Sequence, residues 1–404
     1  PNPFQLKDMN AAIERTYKAI ISDEAIGIFG DYDVDGASST ALLSRYFLSI
    51  KRKVITYIPD RHKDGYGPRI SGFNNLINKG SKIIFTVDCG TMSFKPISLA
   101  QKLEIDVIVL DHHQSDTKIP RACAVVNPNR YDDTSGLNYL CAAGVCFVFL
   151  VALNKKLREE NWFGNNNINE PNILNFLDLV SLATVCDVVP LIGLNRAIVK
   201  QGLKIIKKRS NLGLKTLYDL CNIESQPTEF DLGYKLGPRI NAGGRVGKSS
   251  HGVELLLSND PSSAYQIALD LEKFNKERQT IEFILIQKIE NEVKSYREKE
   301  RSIADRRHTF ELERQELTNR QDIISDRLQS EWGKPVKTLL EEVESVDREA
   351  QDLNGELEEI LAKLSKIGLV NMLAVEEHEE ESQRLVFLSE QREDLLNAKK
   401  DLLE

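Results

Sequence analysis

The chain has 404 residues and a formal net charge of −8, and its length allows two or three domains. The charge is uneven, because residues 301–404 contain 15 basic and 26 acidic side chains whereas residues 1–300 contain 38 and 35. An acidic tail is a poor general DNA-binding segment, since phosphate neutralisation needs Lys and Arg. No apolar run approaches the ~20 residues of a membrane helix, no stretch resembles a secretory leader, and the six cysteines include no C-x-x-C pair. We therefore expect a cytoplasmic protein with no membrane partner.

A cluster of three aspartates follows the first predicted strand. Residues 26–30 form a short apolar run with β-branched side chains, and Asp31, Asp33 and Asp35 come directly after it. A helix is predicted to follow over residues 37–46. Three carboxylates within five residues repel one another, and such a group is costly unless a cation neutralises it. The pattern therefore predicts a metal site.

Further acidic groups follow the next predicted strands. Asp88 and the group Asp111-His112-His113 each come directly after an apolar run that is predicted to be a buried strand. The alternation of strand, helix and strand predicts a mostly parallel, doubly wound α/β sheet. In such a sheet the carboxyl ends of the strands converge on one crevice. We therefore expect these side chains to lie near the first aspartate cluster.

Asp187 ends an apolar helix that is predicted over residues 173–185. Its neighbours are almost all apolar, and a buried carboxylate is costly unless something pairs with it. We therefore expect Asp187 to have a metal ion or a hydrogen-bond donor as its partner.

Residues 237–248 combine several glycines with two arginines and a lysine. Glycines expose backbone N–H groups and the cations attract phosphate, so we expect this stretch to contact a phosphodiester, with a salt-bridged loop as the alternative. It lacks the spacing of a Walker loop or a dinucleotide fingerprint. Tyr66, in a polar loop over residues 60–68, is a candidate for stacking a base, with a solvated loop as the alternative. The basic run at residues 204–209 is interpreted as a solvated helix face.

The C-terminal part is predicted to be helical, with a long helix over residues 262–299 and another helix over residues 375–404. Between them, apolar residues alternate at spacings of four and three, which is typical of a coiled-coil seam. The seam consists of Leu339, Val343, Val346, Ala350, Leu353, Leu357, Ile360, Leu364 and Ile367. Because a seam needs a partner helix, we expect a coiled-coil partner or self-association through the tail.

Taken in order, the acidic motifs resemble the four motifs of the DHH phosphoesterases. The matching stretches are Asp31-Tyr32-Asp33-Val34-Asp35-Gly36, Val87-Asp88-Cys89-Gly90, Asp111-His112-His113 and Ala183-Thr184-Val185-Cys186-Asp187-Val188-Val189-Pro190. Within that family the chain is similar to the bacterial RecJ exonucleases, which act on single-stranded DNA, and residues 237–245 are similar to a RecJ stretch that contacts DNA. The resemblance covers about residues 1–296. It implies a doubly wound, mostly parallel α/β core followed by a long helix, to which this chain adds an α-helical coiled-coil tail.

The resemblance also implies roles for individual residues. The ligands of one or two Mn²⁺ or Mg²⁺ ions would be Asp33, Asp35, Asp88, His112 and Asp187. A carboxylate-rich set with a single imidazole independently suits these hard ions better than zinc. Asp111 would orient His112, His113 would contact the scissile phosphate or protonate the leaving group, and Asp31 would support the cluster. The expected DNA contacts are Arg239, Asn241, Gly243, Gly244, Arg245 and Tyr66.

Two features depart from the family pattern. Many relatives have a His four residues before the middle aspartate of the first motif, where this chain has Phe29, so one ion is expected to bind more weakly or to use water. From about residue 301, through the stretches 371–378 and 387–396, the chain resembles the coiled coil of SMC (structural maintenance of chromosomes) proteins, rather than the domains that follow the long helix in RecJ proteins. We divide the chain into a catalytic core (1–192), a helical connector with the Arg/Gly-rich element (193–300) and a coiled-coil tail (301–404).

The resemblance implies a metal-dependent 5′→3′ exonuclease on single-stranded DNA that releases 5′-mononucleotides in recombination and repair. One alternative is a hydrolase of short oligonucleotides or cyclic dinucleotides, and the Arg/Gly-rich stretch and the fourth motif count against it. Another is a non-catalytic scaffold that binds partners through the coiled coil, and the retained aspartates and histidines count against that. Because the domains that follow the long helix in RecJ proteins do not appear, processive degradation is expected to be weakened.

Overall fold

The computed structural model describes residues 2–60, 67–342, 358–363, 365–366 and 372–401. By their contacts, the residues form two compact units, Pro1–Ile286 and Gln287–Glu404. The functional division predicted after residues 192 and 300 remains a prediction. Within the described ranges, no helix combines the length and the apolar composition that crossing a membrane requires.

Five parallel strands form the central sheet of the first unit, in the order β2-β1-β3-β4-β5. They are β1 (Ile26–Gly30), β2 (Val54–Tyr57), β3 (Ile83–Val87), β4 (Asp106–Leu110) and β5 (Ala124–Val126). β1 and β3 are buried along their whole length, as expected for apolar runs in a parallel sheet that is covered on both faces. Because Gly30 pairs with Val87, the residues that follow these two strands start from neighbouring positions.

Helices cover both faces of the sheet. The helices up to residue 159 are α1 (Met9–Ile21), α2 (Val34–Ser49), α3 (Ile70–Asn78), α4 (Phe94–Lys102) and α5 (Ala142–Glu159). Ile26 and Ile28 of β1 belong to a core with α1, α2 and α5, whereas Phe29 belongs to a second core with Phe73 of α3 and Ile97 of α4. Since successive strand residues point to opposite faces, this alternation confirms the predicted doubly wound α/β fold.

The rest of the first unit is helical. It contains α6 (Trp162–Asn165), α7 (Leu177–Cys186), α8 (Gly193–Ile206), α9 (Leu212–Leu220), α10 (Gly237–Val246) and α11 (His251–Leu257), with a π-helix at Asp231–Leu236 and 3₁₀-helices at Pro3–Gln5 and Ile173–Phe176. The helices α7 and α8 pack antiparallel. The Ser181 hydroxyl donates to the carbonyl of Ile198 at 3.2 Å, and a Cβ on Gly202 would collide with Ser181 and with the carbonyl of Leu177.

The longest helix is α12 (Pro261–Trp332), which extends well beyond the predicted end at residue 299. In the second unit it is followed by α13 (Val336–Glu342) and α14 (Met372–Asp401), and α14 agrees with the helix predicted over residues 375–404. Within this unit, His378 Nε2 lies 3.2 Å from Glu300 Oε1. Most of the predicted heptad seam lies outside the described residues, so the coiled coil remains a prediction.

Candidate metal centre

The turn between β1 and α2 presents the first aspartate cluster. Asp33 is the N-cap of α2, because its Oδ1 accepts the N–H of Gly36 at 2.9 Å, and the helix therefore begins at Val34 rather than at the predicted residue 37. Gly36 is needed here, since a Cβ would lie 2.6 Å from the backbone of Asp31. Asp31 accepts the N–H of Tyr32 at 2.8 Å. Burial, followed by the charge of Asp33, raises the pKa of Asp31 to about 7.

Asp35 lies in the first turn of α2 and connects it to α5. Its buried carboxylate accepts the backbone N–H groups of Ala142 at 2.6 Å and of Ala143 at 2.8 Å, at the N-terminus of α5. The positive end of that helix favours a negative charge. Burial nevertheless raises the pKa of Asp35 well above its usual value, and the charges of Asp187 and Asp33 raise it further. A cation beside Asp35 would relieve this cost.

Asp88 follows β3 in a left-handed backbone conformation, with φ of 59°, that is uncommon outside glycine. Its N–H donates to the carbonyl of Leu110 at 3.1 Å, which joins the ends of β3 and β4. The side chain is buried, and its Oδ2 has no hydrogen-bond partner among the described residues. Burial, followed by repulsion from Asp33 and Asp35, raises the pKa of Asp88 well above its usual value. An orphaned oxygen in a buried acidic cluster fits a metal ligand.

Asp111, after β4, is saturated with hydrogen bonds. Its Oδ1 accepts the ring Nδ1 of His113 and the backbone N–H of His112, both at 2.8 Å, and its Oδ2 accepts the hydroxyl of Thr91 at 2.6 Å. Burial alone would raise the pKa of Asp111, but the hydrogen bonds from His113 and Thr91 outweigh burial and hold that pKa well below its usual range. The ring that Asp111 orients is therefore that of His113, and not that of His112 as predicted.

The ring of His112 points into the carboxylate cluster. Its Nε2 lies 3.3 Å from an oxygen of Asp88 and 3.7 Å from oxygens of Asp35 and Asp187. The carbonyl of Leu140 accepts a hydrogen bond from the ring, while burial, followed by the charge of His113, lowers the pKa of His112. A neutral imidazole held in this way offers its free nitrogen to a cation.

The ring of His113 is in the opposite state of charge. The hydrogen bond to Asp111 raises the pKa of His113 to about 9, although burial opposes the shift. The imidazole therefore carries a proton at neutral pH. Its side chain is 46% exposed, so a substrate can reach it.

Asp187 lies at the C-terminal end of α7. Its Oδ2 is the second buried acidic oxygen without a hydrogen-bond partner among the described residues, although His112 Nε2 lies 3.7 Å away. Burial, followed by the charge of Asp33, raises the pKa of Asp187 to about 6. The next residue, Val188, is highly exposed and has a φ of 57°. A β-branched residue in this conformation is strained, and such strain concentrates at functional sites.

The side chains fit a divalent cation. In each of three groups of three residues, one ligand atom per residue lies within 4.8 Å of the other two. The groups are Asp31 with Asp33 and Asp88, Asp35 with His112 and Asp187, and Asp88 with His112 and His113. The five predicted ligands thus lie in one cluster, which Asp31 and His113 adjoin. A set of carboxylate oxygens with imidazole nitrogen, including two orphaned oxygens, suits Mn²⁺ or Mg²⁺.

The Arg/Gly-rich stretch is not the open loop that its glycines predicted, because residues 237–246 form the helix α10. Its backbone N–H groups are used inside the helix, and its glycines permit close packing. A Cβ on Gly244 would lie 2.6 Å from the ring of Tyr32, and one on Gly243 would lie 3.0 Å from Leu271. Asn241 Oδ1 accepts the N–H of Val34 at 3.0 Å, so α10 supports the first aspartate cluster directly.

The other predicted DNA contacts have different surroundings. Arg239 forms an ion pair with Glu272 at 2.5 Å and donates to the carbonyl of Lys235 at 2.6 Å. This arrangement corresponds to the salt bridge that the sequence offered as the alternative to a phosphate contact. Arg245 is exposed. Tyr66 lies outside the described residues. Contact with DNA remains a prediction for all of them.

Two asparagines that the sequence analysis missed support the DHH motif. Asn127, buried directly after β5, donates to the Thr91 hydroxyl and to the carbonyl of His113, both at 2.9 Å. The side chain of Asn129 donates to the carbonyl of His112. The sequence does contain a signal for them, which is a pair of asparagines directly after a short apolar run. That signal was missed because the three-residue strand β5 was not predicted.

Comparison with known proteins agrees with this geometry. The sequence profile described as the DHH family, N-terminal domain, matches residues 25–184. A crystal structure of exonuclease RecJ bound to manganese aligns with a TM-score of 0.62 at 31% identity, covering 70% of this chain and 69% of that one. The chain belongs to the RecJ branch of the DHH family. A second RecJ structure, the Mn²⁺ complex from Thermus thermophilus, has a TM-score of 0.59 at 30% identity, covering 70% of this chain and 40% of that one.

Sequence relatives of this RecJ-family chain include two proteins described as single-stranded-DNA-specific exonuclease RecJ. The one from Dickeya dadantii is 39% identical over 280 residues, which cover 69% of this chain and 49% of that protein. The one from Bacillus subtilis is 35% identical over 279 residues, which cover 69% of this chain and 34% of that protein. This chain thus spans half or less of the length of these relatives. The predicted DHH and RecJ resemblance is confirmed, while the SMC resemblance of the tail remains a prediction.

Proposed function

We propose that this chain hydrolyses phosphodiester bonds of single-stranded DNA with the help of Mn²⁺ or Mg²⁺. It would act in the 5′→3′ direction and release 5′-mononucleotides in recombination and repair. The observation that carries the proposal is the convergence of four acidic motifs on one cluster with two orphaned buried oxygens, on Asp88 and Asp187. The names of the RecJ relatives support single-stranded DNA as the substrate class, and the family resemblance supports the polarity.

One or two ions would be held by Asp33, Asp35, Asp88, His112 and Asp187. A bound ion would supply positive charge to the phosphoryl oxygens of the substrate. The protein contributes side chains that are already fixed: Asp33 at the N-cap of α2, Asp35 at the N-terminus of α5, and His112 against the carbonyl of Leu140. Such preorganisation lowers the cost of assembling the site.

His113 is the residue that we assign to the substrate. Its imidazole is protonated, half-exposed and oriented by Asp111 at the edge of the acidic cluster. In that state it can neutralise a non-bridging phosphate oxygen or donate a proton to the departing 3′-oxygen of the released nucleotide. The Thr91 hydroxyl donates to Asp111, and the Asn127 side chain donates to the carbonyl of His113, so both residues fix the position of this pair.

The alternatives use the same residues differently. A hydrolase of short oligonucleotides or cyclic dinucleotides would need the same cluster, but the RecJ relatives are named for single-stranded DNA. A scaffold without activity is disfavoured by the clustering of the retained aspartates and histidines. Binding of a coiled-coil partner or self-association through the tail stays a proposal from the heptad seam. A cytoplasmic location stays a proposal from the six cysteines, all of which are free thiols.

The test is hydrolysis of 5′-labelled single-stranded DNA by the full chain with Mn²⁺. Asp88→Asn removes a proposed ligand while keeping the side-chain size, and Asp116→Asn is the matched control because Asp116 is an exposed carboxylate near the DHH motif. Loss of a residue that merely supports a metal ligand commonly costs about 10–100-fold, so Asp88→Asn should cost about 100-fold or more.

Mononucleotide release that survives in Asp116→Asn and is lost in Asp88→Asn would support the proposal. Cleavage of a dinucleotide without attack on longer strands would move the assignment to the small-substrate hydrolase. If wild-type protein hydrolyses neither substrate while Mn²⁺ still binds, the scaffold interpretation would replace it.

A further inference from the structure

The solvent face of α8 and the turn that follows it carry a row of basic side chains. Arg196, Lys200, Lys204 and Lys207 are spaced by four, four and three residues, and Lys208 follows; all five are exposed. At about 100° per residue, the first four lie within an arc of about 80°. The opposite face is buried through Ile198, Val199, Gly202 and Ile206. We call these five side chains the α8 basic row.

The charges of this row are not compensated by the protein. Residues 193–208 contain no Asp or Glu. Among the described residues, no carboxylate lies within ion-pair distance of the row, whereas the next cation, Arg209, pairs with Asp219 at 2.6 Å. The helix α12 differs in that acidic residues are interspersed among its cations, and several exposed cations pair with an acid four residues away, such as Arg327 with Glu331.

The helix itself explains only part of the row. Lysines at a helix C-terminus interact favourably with the helix dipole, which accounts for Lys204, Lys207 and Lys208. Arg196 lies near the N-terminus of α8, where the same dipole disfavours a positive charge. Like charges four residues apart also destabilise a helix. The position of Arg196 and the repulsion between successive cations are not explained by the helix, and they indicate an anionic partner.

The position of α8 links the row to the candidate metal centre. Asp187 lies at the end of α7, and α8 begins six residues later and packs antiparallel to α7. Arg196 is therefore near the end of the helix pair that carries Asp187, and Lys208 is at the far end. With a rise of about 1.5 Å per residue, the row extends over about 18 Å.

We propose that the α8 basic row binds the sugar–phosphate backbone of the single strand that continues beyond the nucleotides held at the metal centre. This inference rests on the proposed function and deepens it. One cation per helical turn, about 6 Å apart, suits a chain of successive phosphates. Between the cations the exposed face offers only Ala197 and Gln201, without the aromatic or aliphatic anchors that a protein interface needs at its centre.

The experiment compares two full-length variants with equal loss of charge. The row variant carries Lys200→Gln, Lys204→Gln, Lys207→Gln and Lys208→Gln. The control variant carries Lys51→Gln, Lys79→Gln, Lys82→Gln and Lys102→Gln, which are exposed lysines at the amino ends of the strands, away from the metal centre. The affinity for an oligothymidylate is measured in EDTA, where no hydrolysis occurs, over a salt range of about 50 to 200 mM.

For single strands, each phosphate contact contributes about 0.7 to the steepness of the plot of log K against log[salt]. Removing four lysines should therefore reduce the magnitude of that slope by up to about 3. The control variant should keep the wild-type slope. Hydrolysis of a dinucleotide, which is too short to reach the row, should be affected far less than hydrolysis of the long strand, whose KM should rise.

Three results would overturn the proposal: an unchanged salt slope in the row variant, an equal loss in both variants, or undetectable binding of the oligothymidylate by the wild-type chain. Loss of binding to poly-glutamate with DNA binding intact would assign the row to an acidic protein instead. Because affinity is measured without hydrolysis, failure of the exonuclease assignment is scored separately, in the assay with Asp88→Asn.

Discussion

The ring Nδ1 of His113 lies 2.8 Å from Oδ1 of Asp111, so this carboxylate orients the second histidine of the motif and not the first. The two adjacent histidines consequently differ in charge. Burial lowers the pKa of His112, whose Nε2 faces the acidic cluster, while the bond to Asp111 raises the pKa of His113 to about 9. One imidazole is available as a ligand, and its neighbour is available as a proton donor.

Asp111→Asn should lower the pKa of His113 from about 9 toward the ordinary value of 6.5, because the variant loses the charge that stabilises the imidazolium. Proton NMR titration of the metal-free protein measures this directly. In turnover with Mn²⁺, the alkaline limb of the activity profile should move to lower pH. A pKa that stayed near 9 in the variant would show that another group holds the proton on His113.

The metal-free protein should be destabilised as the pH rises, relative to a variant without the buried charges. In the folded state the pKa of Asp31 is raised to about 7 and that of Asp187 to about 6, against 3.8 when unfolded. A carboxyl group with a raised folded-state pKa contributes stability that is fully present below the unfolded pKa and is lost as the pH rises through the folded pKa. Each pKa unit corresponds to about 1.4 kcal/mol.

We therefore expect the double variant Asp31→Asn/Asp187→Asn to gain in melting temperature over wild type between about pH 4 and pH 7 in EDTA. Mn²⁺ should raise the melting temperature of wild type at neutral pH and leave the double variant nearly unchanged. Asp116→Asn serves as the control for general effects of charge. Parallel melting curves of wild type and double variant across this range would argue against a strained acidic cluster.

Asn127→Ala should reduce turnover by about 10–100-fold, because the buried amide holds the Thr91 hydroxyl and the carbonyl of His113. It should also cost about 1–3 kcal/mol of stability by leaving those groups unsatisfied. The matched control is Asn172→Ala, which removes a side-chain cap on the N–H of Leu174 far from the DHH motif in sequence. Both variants should melt earlier, but only Asn127→Ala should lower kcat. Equal activity after correction for the folded fraction would make Asn127 purely structural.

Gly244→Ala should weaken Mn²⁺ binding, since its Cβ would lie 2.6 Å from the ring of Tyr32 and displace the turn that carries Asp31 and Asp33. Overpacking of this kind costs about 1–3 kcal/mol. Gly233→Ala is the matched control in the preceding π-helix, where the nearest contact of a Cβ would be 3.4 Å. Calorimetric titration with Mn²⁺ should show weaker binding for Gly244→Ala alone. Identical affinities would mean that α10 does not position the first aspartate cluster.

The sheet and the convergence of the acidic motifs were predictable from the sequence. Apolar β-branched runs such as 26–30 and 83–87 are what a doubly covered parallel sheet buries, and the register that pairs Gly30 with Val87 brings Asp31 and Asp88 to the same edge. The ligand set itself is a prediction from the family resemblance, which is specific because four motifs in fixed order say far more than any one of them.

The remaining features depend on packing that spacing does not encode. The helix α3 contains Gly72 and three asparagines, whose low helix propensity concealed it, and β5 has only three residues. The glycines of α10 suggested an open loop, yet in the helix they permit the approach to Tyr32. Which of the two adjacent histidines bonds to Asp111 depends on their side-chain rotamers, and the sequence does not determine these.

A version that ends at Lys299 should keep the hydrolytic activity of the full chain. Every candidate ligand lies in the unit Pro1–Ile286, and the last residue of α12 that is buried is Asn275, so the cut removes no buried residue of that helix. We expect kcat within about twofold of the full chain, with circular dichroism confirming the fold. A folded but inactive truncation would show that residues 300–404 take part in catalysis, and a truncation that fails to fold would show that they stabilise the core.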